Sequence, residues 1–273
     1  MAELASGTKE NTIGVAWVTG AARGIGSATA AELATRGFFV WVSDIDEKSL
    51  TSVTKEILEA GGSCAAVVCD VANTEDVENA AIRILEQSGR LDVVVNNAGV
   101  FHVDELLDLT FETWRRVMSV NADGTFLVGQ ASARRMVQQP HNDTLKRRGL
   151  IVNVASSAAE VGRPPRAAYG ASKALVKHLT MTQAMALAPH DVAATVIYPG
   201  EVMEGMLAGI YRDESLAEGV TVADVVERKA QALPAGRFQP AQEVAARIAF
   251  LACSRGMAFN GHLLWADTHL QRM

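Results

Sequence analysis

The sequence predicts an α/β fold: a doubly wound parallel sheet of about seven strands with helices on both faces, in a single domain. Three observations lead there. Short β-branched apolar runs alternate with longer segments of helical period along almost the whole chain. Several of those runs are apolar at consecutive positions, the pattern of strands covered on both faces. No low-complexity linker, internal repeat or composition break marks a second domain within the 273 residues.

Taken in order, the first strand is expected at 13–19 (IGVAWVT), after a polar tail over 1–12. A helix over 24–36 leads to a strand at 38–43, and a helix over 46–60 leads to a strand at 64–69. Asn73 followed by Asp76 signals the start of a helix over 73–88, because a short polar side chain there accepts unpaired N–H groups of the first turn. A fourth strand at 91–96 precedes a long helical pattern over 111–138. Strand 150–155, helix 167–188 and strand 192–198 follow, and helix 240–253 with strand 262–266 completes the sheet. The stretch 200–239 falls outside the alternation. A connection of that length reads as a lid or binding element with short helices of its own.

Composition narrows the function. A formal net charge of −6 leaves no basic footprint for nucleic acid or an anionic membrane surface. No apolar run nears the roughly 18 residues of a membrane span, and the polar start lacks the apolar core of a signal peptide, so a cytoplasmic protein is expected. Cys64, Cys69 and Cys253 lack zinc-site spacing and read as buried free thiols, and the scattered histidines give no metal site.

The sharpest signal is VTGAARGIG, residues 18–26, between the first strand and the first helix. Gly20 turns the chain off the strand, and Gly24 and Gly26 keep side chains away from an approaching pyrophosphate. The helix N-terminus then offers N–H groups and its positive dipole end to that anion. Arg23 and Ile25 sit inside the turn. Asp44, followed by Ile45, ends the second strand eighteen residues beyond Gly26. A carboxylate there accepts hydrogen bonds from the adenosine ribose hydroxyls and repels a 2′-phosphate. NAD is therefore expected over NADP, with Arg23 as the argument for NADP.

Further motifs follow in order: CDV at 69–71, NNAG at 96–99, SVNADGTF at 119–126, YGASK at 169–173 and YPGEV at 198–202. Together with the glycine turn they resemble the short-chain dehydrogenase/reductases, from residue 13 to about 267. The resemblance implies a Rossmann-like fold in which Asp70 binds the adenine amino group and Val71 packs on the ring. It places Asn97, Ala98 and Gly99 at the end of the fourth strand, and Pro199, Gly200 and Val202 beside the nicotinamide. It also implies a constellation of Asn121, Ser157, Tyr169 and Lys173, the last two also against the cofactor, with Asn121 holding a water that links the lysine to solvent. Tyr169 and Lys173, four apart on a helix, share a face, and a cation one turn away lowers a phenol pKa from about 10.

Two serines compete for one role. Ser156 stands thirteen residues before Tyr169, the family's interval, and Ser157 stands twelve before it. Anchoring on the strand IVNVASS, with the following loop one residue short, selects Ser157, since strand ends are rigid and loops absorb deletions. Glu160 and Glu204 read as exposed loop glutamates in preference to pocket charges that would favour a cationic substrate, and the family's late DGG reads DTH at 267–269.

The expected function is NAD-dependent interconversion of a small secondary alcohol and a ketone, with Tyr169 as general acid/base. Against it stand an NADP-dependent carbonyl reductase of the same fold and a dinucleotide-binding sensor without turnover. Helices 111–138 and 167–188 carry more apolar residues than one core face needs. The corresponding helices of the family pair between subunits, which implies a homodimer or homotetramer.

Overall fold

The computed structural model describes residues 12–162, 164–203 and 206–266. Its strands are β1 (Gly14–Thr19), β2 (Phe38–Asp44), β3 (Ser63–Val68), β4 (Val93–Asn96), β5 (Gly149–Val154), β6 (Val192–Tyr198) and β7 (Leu263–Trp265). They form one parallel sheet in the order β3-β2-β1-β4-β5-β6-β7. The order reverses between β1 and β4. Connections there leave toward opposite faces and open a crevice at the carboxyl ends of the strands, where α/β sheets bind ligands.

The helices are α1 (Gly24–Thr35), α2 (Glu47–Glu59), α3 (Thr74–Ser88), α4 (Phe111–Met118), α5 (Gly124–Met136), α6 (Ala167–Leu187), α7 (Met206–Glu218), α8 (Val222–Ala232) and α9 (Ala241–Cys253). Alternate strand residues feed two cores. Ala16, Val18, Val40 and Val95 pack against Leu33 of α1, Ile57 of α2 and Ile248 of α9. Trp17, Trp41, Val94 and Ile151 pack against Ile84 of α3, Val128 of α5 and Ala184 of α6. Burying one such Leu or Ile side chain contributes roughly 1.5–3 kcal/mol. The interior indoles find partners: the Trp17 N–H donates to Ser43 Oγ and the Trp41 N–H to Ser88 Oγ, each at 2.8 Å.

Asn73 caps α3 as expected, accepting from the N–H groups of Glu75 and Asp76. The helical path expected over 111–138 runs through to Met136, with one π turn inside it. A π turn at Ser119–Asp123 separates α4 from α5. Gly124, just past it, has no room for a side chain, because a Cβ would lie 2.7 Å from Val71 Cγ2. The stretch 200–239 contains α7 and α8, and a reciprocal Thr221–Asp224 capping box starts α8. No helix among the described residues is long and apolar enough to cross a membrane. Residues 1–11 of the expected tail, Glu204 and positions 267–269 lie outside the described residues.

Candidate active site

The glycine turn is built as its residue types require. Gly20 and Gly24 have φ of 63° and 58°, a region that disfavours side chains. Gly26 lies beneath the turn, where a Cβ would stand 2.1 Å from the Gly20 carbonyl oxygen and 2.6 Å from Asn97 Nδ2. Asn97 locks the turn to the end of β4, its carboxamide donating to the carbonyls of Thr19 and Gly20 at 3.0 Å. Replacing Gly26 with Ala is expected to cost about 1–3 kcal/mol of stability through this overpacking. Melts with and without dinucleotide check it, and an unchanged Tm in both contradicts the geometry.

A groove of about 200 Å³ runs over the turn. Apart from Gly26, every residue expected at the cofactor from Gly20 to Gly99 lines it: the turn, Asp44 and Ile45, Asp70 and Val71, and Asn97 to Gly99. Asp44 is held at the end of β2 by accepting from the N–H groups of Ala22 and Asp46 at 3.1 and 3.2 Å. Asp70 accepts from the Ala72 N–H at 2.9 Å. Bare backbone at the start of α1, no Cβ over the turn and a carboxylate at the end of β2 fit a dinucleotide.

A second pocket continues from the groove through Ile25 and Asn97. Ser156, Ser157, Tyr169 and Lys173 line it, closed on the other side by Pro199, Gly200 and Val202. Gln239, 39 residues further along the chain, fixes that wall. Its side-chain oxygen accepts from the Gly200 N–H at 2.9 Å, and its backbone N–H donates to the Glu201 carbonyl at 2.9 Å. Nothing local in the sequence marks Gln239 for this role.

The serine on Tyr169 is Ser156, not Ser157. Ser156 is the serine whose side chain acts on the Tyr169 hydroxyl and favours its ionised form, and the two line one pocket. The backbone remains extended at Ser156 (φ −167°, ψ 156°), which carries the strand direction past β5, and Ser157 then begins a 3-10 turn, Ser157–Ala159. The interval of thirteen therefore holds, and the proposed one-residue shortening does not. Ser156 also caps that turn by accepting from the Ala158 N–H at 3.2 Å.

Tyr169 is buried, with its ring edge-on to Phe101 at 4.6 Å between centroids. Burial pushes its hydroxyl above the ordinary phenol pKa, while the Ser156 side chain and the charge of Arg166 pull it back. Lys173 Nζ donates to the Val154 carbonyl at 2.8 Å and lies 5.8 Å from the Tyr169 ring centroid. Burial pushes Lys173 down to about 8.

Between pH 8 and the ordinary lysine range, the unfolded chain keeps a proton that the folded chain has released. Stability from this group therefore rises with pH through that window and is lowest below it. The stability of the wild type minus that of Lys173→Met is expected to grow by about 2 kcal/mol from pH 7 to pH 10. Denaturant melts at the two pH values check it, and a flat difference contradicts a depressed lysine.

Asn121 emerges in the π turn, fully buried. Its side chain accepts from the Val100 N–H at 2.7 Å and donates to the Val100 carbonyl at 2.9 Å and to Ser172 Oγ at 3.0 Å. Its own carbonyl accepts from the Thr125 hydroxyl at 2.7 Å. These bonds hold the 99–100 turn in place, and a Cβ on Gly99 would lie 3.2 Å from Asn121 Oδ1 and 3.7 Å from Lys173 Nζ. Glu160 is half-buried rather than exposed, and its carboxylate pairs with Lys177 at 2.7 Å at the edge of a separate hollow beside Arg166.

The family model for short chain dehydrogenase matches residues 14–215. A 3-oxoacyl-[acyl-carrier-protein] reductase of Synechocystis sp. is 34% identical over 249 residues, 91% of this chain and 92% of that protein. An L-2,3-butanediol dehydrogenase of Corynebacterium glutamicum is 32% identical, over 93% of this chain and 96% of that protein. The structure of actinorhodin polyketide ketoreductase with NADPH superposes with a TM-score of 0.87 at 29% identity, covering 97% of this chain and 99% of that one. With the glycine turn, the nucleotide groove and the Tyr169 pocket joined on one sheet, the chain belongs to the short-chain dehydrogenase family of oxidoreductases, which bind a nicotinamide dinucleotide.

Proposed function

We propose that the protein interconverts a secondary alcohol and a ketone using NAD, with Tyr169 as general acid/base. One observation carries this reading: the hydroxyls of Ser156 and Tyr169 line a pocket continuous with the dinucleotide groove. When bound, the nicotinamide supplies or accepts the hydride. The two hydroxyls converge on the substrate oxygen. Tyr169 gives it a proton in reduction and takes one in oxidation, and Ser156 hydrogen-bonds it as charge develops. Lys173 anchors to the Val154 carbonyl and contributes cationic charge below Tyr169, while Asn121 positions the turn above them.

Asp44 supports NAD, since its fixed carboxylate lines the groove. A second reading, an NADP-dependent carbonyl reductase, is favoured by Arg23. That residue lines both the groove and an adjoining open hollow with Ser27 and Ser49, and the relative solved with NADPH points the same way. Fluorescence titration separates them. NADH is expected to bind at least about tenfold tighter than NADPH, and Asp44→Ser to narrow the gap, because like-charge repulsion of a 2′-phosphate is worth more than one such factor. Tighter NADPH binding overturns the NAD assignment.

The same proposal takes residues 13–273 as one catalytic domain acting in the cytoplasm, with 200–239 over the pocket. It also takes the protein as a homodimer or homotetramer. Phe126 on α5, with Leu175, Met181 and Met185 on α6, supports the latter, since these large apolar side chains stand exposed. Sedimentation at micromolar concentration tests it, and a monomer rejects it.

A further inference from the structure

Besides Lys173, the pocket beside Tyr169 holds a second cation, Arg166, whose charge also acts on the Tyr169 hydroxyl. Arg166 closes the short turn Pro164–Arg166 just before α6 and lines the same pocket as Ser156 and Tyr169. Its guanidinium lies 5.2 Å from the centroid of the Phe101 ring, and the other contact of that ring is Tyr169. Arg36, Arg90, Arg135, Arg228 and Arg237 all hold a carboxylate. Among the described residues, none pairs with Arg166. Of the neighbouring acids, Glu160 is paired with Lys177, and Glu201, which lines the same pocket, accepts from the Tyr211 hydroxyl at 3.5 Å.

A half-buried guanidinium on an aromatic ring, with its N–H donors unmet, suits a planar two-oxygen acceptor. We infer that the substrate carries a carboxylate close to the reacting carbon, so that the enzyme interconverts a short-chain oxo acid and its hydroxy acid, with Arg166 gripping the carboxylate. The inference rests on the alcohol–ketone reading of this pocket. In reduction the hydride adds to the ketone carbon and the carbon–oxygen π bond breaks. The Tyr169 proton goes to that oxygen, the nicotinamide is oxidised, and the carboxylate leaves unchanged. Phe101 and Val202 in the same pocket leave apolar wall for a short alkyl chain.

The test uses straight-chain 2-, 3- and 4-oxo acids against their methyl esters, with the protein's preferred reduced dinucleotide. The wild type is expected to favour at least one acid over its ester by tenfold or more in kcat/KM. In Arg166→Leu that ratio falls to near one through a higher KM for the acid, and Arg166→Lys restores part of it. A wild-type ratio below tenfold for every pair, or a ratio unchanged in Arg166→Leu, overturns the inference while leaving the alcohol–ketone reading standing. No turnover of any acid, ester or simple ketone overturns both.

Discussion

Replacing Tyr169 with Phe is expected to lower kcat in both directions by about 10²–10⁴-fold, the range for a positioned general acid/base. Dinucleotide binding should persist. The substitution keeps the ring that packs edge-on against Phe101 and removes only the oxygen on which Ser156 acts. The cost to stability is no more than one hydrogen bond, about 1 kcal/mol. Stopped turnover with intact NADH binding is the expected pair of readings. Retained turnover removes Tyr169 as the acid/base, and retained binding with no wild-type activity on any alcohol or ketone would favour the sensor reading.

The second large effect separates two adjacent serines. Ser156→Ala is expected to lower kcat by about 10²–10³-fold, as for loss of one donor to a developing oxyanion. Ser157→Ala should change it by no more than a few-fold. Ser156 also caps the following 3-10 turn, so its loss could act through local structure. Ser156→Thr keeps a hydroxyl and is the control: recovery of rate there assigns the effect to the oxygen on Tyr169. A large loss in Ser157→Ala, with Ser156→Ala active, returns the role to Ser157.

The geometry of a strand end decides between the two serines. Anchoring on IVNVASS treats the strand as finished at a fixed place and lets the loop shorten. In the fold, extended backbone continues two residues past Val154, so Ser156 still belongs to the strand geometry. The long helix over 111–138 is present through Met136, and what its apolar pattern does not announce is the π turn inside it. An apolar stripe records which face is buried, and a single π turn inserts its extra residue without interrupting that stripe. By contrast the seven strands were legible to within about two residues, because strands buried on both faces must be apolar in succession.

The glycine turn, the carboxylate at the end of β2 and the four-residue spacing of Tyr169 and Lys173 all follow from short stretches of chain. Backbone φ, helix periodicity and strand burial are local constraints that residue types express directly. Nothing in RPPRAAY distinguishes a surface arginine from one that lines a pocket, as Arg166 does. That depends on Phe101, 65 residues earlier, and on Lys177 having taken the Glu160 carboxylate. The same holds for Gln239 behind Gly200 and for the Asn121 carboxamide spent on Val100. The glycine turn, the sheet and the tyrosine–lysine pair could be read from the residues alone. The serine that meets the tyrosine, the field around its hydroxyl and the charge left open to a substrate are contacts between distant segments, set only when the chain packs.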